Sequence, residues 1–96
     1  MVNFLKVKFS VDVSTNFFRV RVRAPRLFTD FRVPEWACRV SNSIVKGSKV
    51  TMGYRNGRWF VQSVLLPKTK VKGIREAKKY AREIVRKIEN IKGLVW

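Results

Sequence analysis

Basic and aromatic side chains recur in this sequence at the spacing of a β-strand. In Phe17-Phe18-Arg19-Val20-Arg21-Val22-Arg23-Ala24 an extended backbone sends Phe18, Val20, Val22 and Ala24 to one face. Phe17, Arg19, Arg21 and Arg23 go to the other. A guanidinium is permanently charged and presents a planar fork of donors that matches phosphate oxygens, so a ladder of them ending in a ring suits a polyanion with stackable groups. The theme returns around Asn56-Gly57, which supplies the positive φ angles of a two-residue type I′ turn. Counting outward over residues 49–66, Arg55 faces Arg58, Tyr54 faces Trp59, Gly53 faces Phe60, Met52 faces Val61 and Thr51 faces Gln62. Val50, Met52, Tyr54, Trp59, Val61 and Leu65 form the more apolar face and are expected in the core. The opposite face carries Thr51, Gly53, Arg55, Arg58, Phe60, Gln62 and Val64; Gly53, across from Phe60, is expected to relieve strand twist or, in the alternative, to leave a bare floor beside that ring.

The whole composition agrees with an anionic partner. The 96 residues hold 22 Lys and Arg against 6 Asp and Glu, a formal net charge of +16. Such a charge repels itself in a compact chain and is neutralised by DNA, RNA or an anionic membrane. Nucleic acid is the expected partner and a membrane is not. No apolar run approaches the ~20 residues of a spanning helix, and the N-terminus lacks a signal-peptide plan. Cys38 is the single cysteine and histidine is absent, so neither an intramolecular disulfide nor a Cys/His zinc site can form. A reducing cytoplasm is the compartment expected from this cysteine usage.

Catalysis finds little to work with. There is no histidine base, the lone thiol has no evident activator, and no glycine-rich phosphate cradle occurs. Asp12, Asp30 and Glu35 are the carboxylates that a metal-dependent nuclease could recruit. Glu76-Ala77-Lys78 resembles part of the Glu-x-Lys signature of restriction-type nucleases, but it falls in a predicted helix where that family uses a strand. The expectation is therefore a non-enzyme with no metal and no cofactor.

The elements that must position the basic residues follow from periodicity. Residues 3–13 alternate as a half-buried strand, with Leu5, Val7, Phe9, Val11 and Val13 on one parity. A turn at Ser14-Thr15-Asn16 then pairs Val13 with Phe18, Val11 with Val20, Phe9 with Val22 and Val7 with Ala24. In this register Asp12 opposes Arg19, Ser10 opposes Arg21 and Lys8 opposes Arg23. Lys8, Arg21 and Arg23 are thus left uncompensated, at the expected centre of a ligand track. Pro25 ends the pairing, and residues 26–33 are expected to add a short third strand. Pro34 opens a short helix over about 34–46, with Trp36, Ala37, Val40, Ile44 and Cys38 as packing residues and Gly47 as its stop. Residues 67–73 form a basic linker. A long helix over 74–92 follows, with Ile74, Ala77, Ala81, Ile84, Ile88 and Ile91 as its seam, widened by Tyr80 and Val85. That seam packs across the sheet or, in the alternative, pairs two copies as a homodimer. The apolar tail Leu94, Val95 and Trp96 is the other surface on which a second copy would dock. Arg75, Lys78, Arg82 and Arg86 make a separate basic stripe on this helix.

The resulting plan is one α+β domain over residues 1–96, ordered ββ(β)αββα, with an antiparallel sheet of four to five strands under the long helix. Its candidate binding residues are Lys6, Lys8, Phe17, Arg19, Arg21, Arg23, Arg32, Arg55, Arg58 and Phe60, with Phe4 and Phe28 as further stacking platforms. Rings interleaved with cations favour single strands, whose unpaired bases expose faces that a duplex hides. A duplex-DNA or ribosomal-RNA architectural protein is the neighbouring reading, and an OB barrel the other architecture. Strands followed by a long C-terminal helix, with a basic aromatic surface, resemble the archaeal ThermoDBP-type single-stranded DNA-binding proteins. The resemblance lies in the element plan and implies single-stranded DNA as ligand and a dimer through the long helix.

Overall fold

The computed structural model describes residues 9–23 and 25–90. Its elements are β1 (Phe9–Val13), β2 (Phe17–Val22), α1 (Val33–Ile44), β3 (Lys49–Arg55), β4 (Arg58–Pro67) and α2 (Ile74–Glu89). The four strands form one antiparallel sheet in the order β1-β2-β4-β3. Since β4 lies between β2 and β3, those two run parallel and α1 is the crossover that joins them. Residues 3–8 of the expected first strand, with Phe4, Lys6 and Lys8, lie outside the described residues, as do Ala24, Ile91 and the Leu94, Val95, Trp96 tail.

The first hairpin has the register that alternation predicts: Phe9 opposite Val22, Val11 opposite Val20 and Val13 opposite Phe18. Ser14 closes its turn, its backbone N–H donating to the Phe17 carbonyl at 2.9 Å and its Oγ donating to the same oxygen at 3.0 Å. The second hairpin turns through Asn56 at φ 51° and Gly57 at φ 77°, the pair of positive values a type I′ turn requires. Its register agrees with expectation from Arg55–Arg58 to Met52–Val61, and then slips. Thr51 pairs with Ser63 instead of Gln62, so Gln62 is the extra residue of a β-bulge in β4.

The bulge corrects the expected core. Beyond it the parity of β4 reverses, so Val64 and Leu66 are fully buried, whereas Leu65 lies on the opposite face and is only partly buried. Tyr54 is also outside the core, 61 % exposed at the sheet's end and packed obliquely on Trp59 with ring centroids 4.7 Å apart. The predicted third strand does not form. Pro25 breaks the ladder, and residues 25–30 make one isolated bridge, in which Phe28 and Trp59 exchange backbone hydrogen bonds of 2.8 and 2.7 Å. That bridge carries the Phe28 side chain into the core, where it is 1 % exposed.

Both helices cover one face of the sheet. Val33, Ala37, Val40 and Ser41 of α1 and Ala77, Ala81, Ile84, Val85 and Ile88 of α2 meet Phe18, Val20, Val22, Val61, Val64 and Leu66 in one core. Among the described residues, the seam of α2 is therefore buried against its own sheet, save for Ile74, which is exposed at the helix's first turn. Trp36 and Cys38 are exposed, contrary to expectation, because α1 turns the ridge of 33, 37, 40 and 41 inward and these two lie off it. No helix among the described residues is long and apolar enough to cross a membrane.

The α1–β3 turn is held by polar groups. Asn42 Nδ2 donates to the carbonyls of Cys38 at 2.9 Å and Ser48 at 3.2 Å, while its Oδ1 accepts from the Gly47 N–H at 2.9 Å. Beneath it the buried hydroxyls of Ser41 and Ser48 bond to each other, and Ser48 Oγ also donates to the Val45 carbonyl at 2.7 Å. Asn42→Ala removes all of the asparagine's bonds at a partly exposed site and is expected to lower unfolding stability by ~1–2 kcal/mol in urea denaturation. Asn42→Asp keeps the acceptor for Gly47 and should fall between the two.

Glu89 ties the end of α2 to the segment after β2. Its Oε2 accepts from the Arg26 N–H at 2.9 Å and its carbonyl accepts from Arg26 Nη1 at 2.7 Å. Burial pushes the Glu89 carboxyl above its ordinary value, opposed by that N–H and by the Arg26 charge. A raised folded-state pKa means that the folded protein holds the proton more tightly than the unfolded chain. The stabilisation from this group is complete below the unfolded value of about 4.5 and is lost as pH rises through the folded value. Glu89→Gln mimics the protonated form, so its stability relative to the parent is expected to rise with pH across that window in denaturation curves.

Candidate nucleic-acid interface

The helices leave the second face of the sheet open, and strand register decides what stands on it. Across β2 and β4, Arg19 is opposite Leu65, Arg21 opposite Ser63 and Phe17 opposite Pro67. Across β4 and β3, Gly53 is opposite Phe60 and Arg55 opposite Arg58. Because partners in a ladder share a face, Arg19, Arg21, Arg55, Arg58 and Phe60 come to the same surface from three adjacent strands. Arg23 follows directly after β2 and is exposed beside them.

Two depressions lie on this face, each lined in part by β4. One, of about 480 Å³, is lined by polar and basic groups, with Arg19, Arg21 and Arg23 on one side and Thr51, Gln62 and Ser63 on the other. The bulge is what adds Gln62 beside Ser63. The second, of about 560 Å³, is lined by Pro25, Leu27, Arg55, Asn56, Arg58 and Phe60. It pairs an apolar floor with two guanidinium groups, the chemistry of a base seated between phosphates. One depression favours backbone and the other favours a base.

The floor beside Phe60 is filled, and by that ring itself. A Cβ added to Gly53 would collide with Cζ, Cε1 and Cε2 of Phe60, so the glycine lets the ring lie flat across the neighbouring strand. One ring face is thereby fixed against backbone and the other is turned outward. A held ring loses little freedom when a base stacks on it.

Several expected site residues are placed differently. The Asp12 carboxylate lies 2.9 Å from Arg21 Nε, on the diagonal, and not on Arg19 directly opposite. Strand twist brings diagonal neighbours within reach of a long arginine. Among the described residues, the cations of β2 and its end that have no carboxylate partner are therefore Arg19 and Arg23, and Arg21 holds an exposed ion pair of small strength. Lys8 lies outside the described residues. Arg32 is not on the sheet. It occupies the N-cap of α1, where its backbone N–H and guanidinium both donate to Asp30, the closest contact being Nη2 to Oδ2 at 2.6 Å. Those hydrogen bonds hold the Asp30 carboxyl below its usual range. Phe28 is core, and Phe17 is partly buried at the sheet's far end beside Pro67. Thr51, Ser63, Pro25, Leu27 and Asn56 are site-lining residues that a search confined to cations and rings passes over. Thr51 was signalled by its parity with Arg55, but Pro25 and Leu27 were hidden by reading a strand where a single bridge exists.

Among the described residues no group of three or more Cys, Asp and Glu gathers. Asp12, Asp30 and Glu35 are each engaged with an arginine: Arg21, Arg32 and Arg39. Glu76 turns back to accept the Lys72 N–H at 3.0 Å. A scan against family models and searches of curated proteins and of solved structures find no match to this chain.

Proposed function

We propose that this protein binds single-stranded nucleic acid, DNA in the first place, without catalysis and with little sequence preference, along the open face of its sheet. The observation that carries the reading is that strand register brings Arg19, Arg55, Arg58 and Phe60 to one open sheet face, with Arg23 exposed beside them and the Phe60 ring lying flat over Gly53. Cations on this face neutralise phosphates and supply most of the affinity. The outward side of Phe60 accepts an unpaired base, a contact that a duplex cannot offer because its base faces are stacked within it. The ThermoDBP-type proteins are the family proposed as its kin, on element order, and a reducing cytoplasm is the compartment proposed, on the single cysteine.

The test is a titration of labelled single strands and duplexes of equal length at several salt concentrations. Tighter binding of the single strand at every salt is expected, with log K falling linearly against log salt. Arg19→Ala should reduce the magnitude of that slope by about 0.7, one phosphate contact on a single strand. Equal or tighter duplex binding by the parent overturns the proposal.

A further inference from the structure

The molecule carries a second basic surface that the sheet-face reading does not use. Helix α2 buries Ala77, Ala81, Ile84, Val85 and Ile88 against the inner side of the sheet. At about 100° per residue, the side turned away from that ridge carries positions 75, 79, 82, 83, 86 and 90. Four of these, Arg75, Lys79, Arg82 and Arg86, are spaced i, i+4, i+7 and i+11 along one line. Lys78 flanks the line and Glu83 sits on its far side. A depression of about 620 Å³ opens on this surface, lined by Ile74, Arg75, Lys78, Lys79 and Arg82.

The two basic surfaces differ in kind and in direction. The sheet face combines cations with a fixed ring, whereas the outer face of α2 offers cations and one exposed aliphatic residue, with no aromatic side chain on the line. Cations alone bind the phosphates of any nucleic acid, duplex included. One surface lies on the open side of the sheet and the other on the outer side of the helix layer. A single strand lying on the first cannot also cover the second without wrapping around the domain.

We infer that the outer face of α2 holds the phosphate backbone of a second nucleic-acid segment, so that one molecule bridges a single strand on its sheet to a neighbouring segment. The inference rests on the sheet-face reading for the first segment and on the α2 line for the second. The line runs for eleven residues at 1.5 Å each, about 16 Å, or two to three phosphate spacings of an extended strand. Bridging also accounts for cations placed on opposite sides of the molecule, where one short ligand would neutralise only one set.

A sandwich assay separates the two surfaces. A short oligothymidylate is tethered, loaded with protein and washed, and a labelled duplex is then added. The parent is expected to capture the duplex, with a strong dependence on salt. The triple variant Arg75→Glu, Lys79→Glu, Arg86→Glu should load on the oligothymidylate within about twofold of the parent and lose duplex capture by more than tenfold. Far-ultraviolet circular dichroism checks that the variant is folded, and Lys79→Glu alone should give a graded loss. Absence of capture by a parent that still loads on the single strand overturns the bridging inference and leaves the sheet-face reading standing. Undiminished capture by the triple variant also overturns it, since the second segment would then be held by a sheet face of another copy. Loss of single-strand loading in the triple variant, with Arg19→Ala and Phe60→Leu unaffected, overturns both readings and makes α2 the primary site.

Discussion

Phe60→Leu is expected to weaken single-strand binding by ~1–3 kcal/mol, roughly fivefold to a hundredfold and more, while duplex binding stays within about twofold. Leucine still covers Gly53, so the sheet is not left with a bare patch, and the arginines around it keep their places. What disappears is the flat outward face. The salt slope should be unchanged, because no phosphate contact is removed, and fluorescence titration with both ligands measures this directly. Equal losses on both ligands would mean that the ring only supports neighbouring cations.

Phe28→Ala is expected to act on stability instead. Its side chain is the largest of those fully buried, yet it comes from a segment with one bridge to the sheet. Truncation leaves a cavity between that segment and the core at a cost of ~3–5 kcal/mol, a large part of the ~5–15 kcal/mol available to a small domain. The backbone bonds to Trp59 do not depend on the side chain, so the loss reports on packing alone. Urea denaturation should show a lowered midpoint, while variant that remains folded binds single strands as the parent does. A stacking platform would give the opposite pair of results: intact stability and lost binding.

These two phenylalanines show where the sequence is legible and where it is not. Alternation over residues 9–13 and 17–22 determines the first hairpin, since sliding β2 by one residue would turn Phe18, Val20 and Val22 out of the core. Asn56-Gly57 likewise sets the second hairpin for the first four pairs, and with it the placement of Arg55, Arg58 and Phe60. The plan of two helices on one side was equally readable from their apolar spacing. Phe28 was not, because its environment is made by Pro25 ending one strand and by a contact with Trp59 more than thirty residues away. Parity in a segment that forms no ladder carries no information about faces. The Asp12–Arg21 pair was hidden for another reason: register specifies which residues are opposite, and twist with side-chain length decides which of the near neighbours bond. Trp36 exemplifies a third limit, since helical spacing defines a stripe but only the packed sheet decides its centre.

The bulge at Gln62 has a consequence for how this chain tolerates changes in length. In a central strand, losing one residue ordinarily turns everything on one side of the cut inside out. Here β4 has one residue more than its partner needs, and removing Gln62 would leave Phe60, Ser63 and Leu65 facing out and Val61, Val64 and Leu66 facing in by simple alternation. A one-residue deletion at that position is expected to straighten the strand and preserve both faces, while the same deletion at Val61 or Val64 would take a core side chain with it. The middle of the sheet thus contains a single place where the chain can be shortened without exchanging its interior for its binding surface.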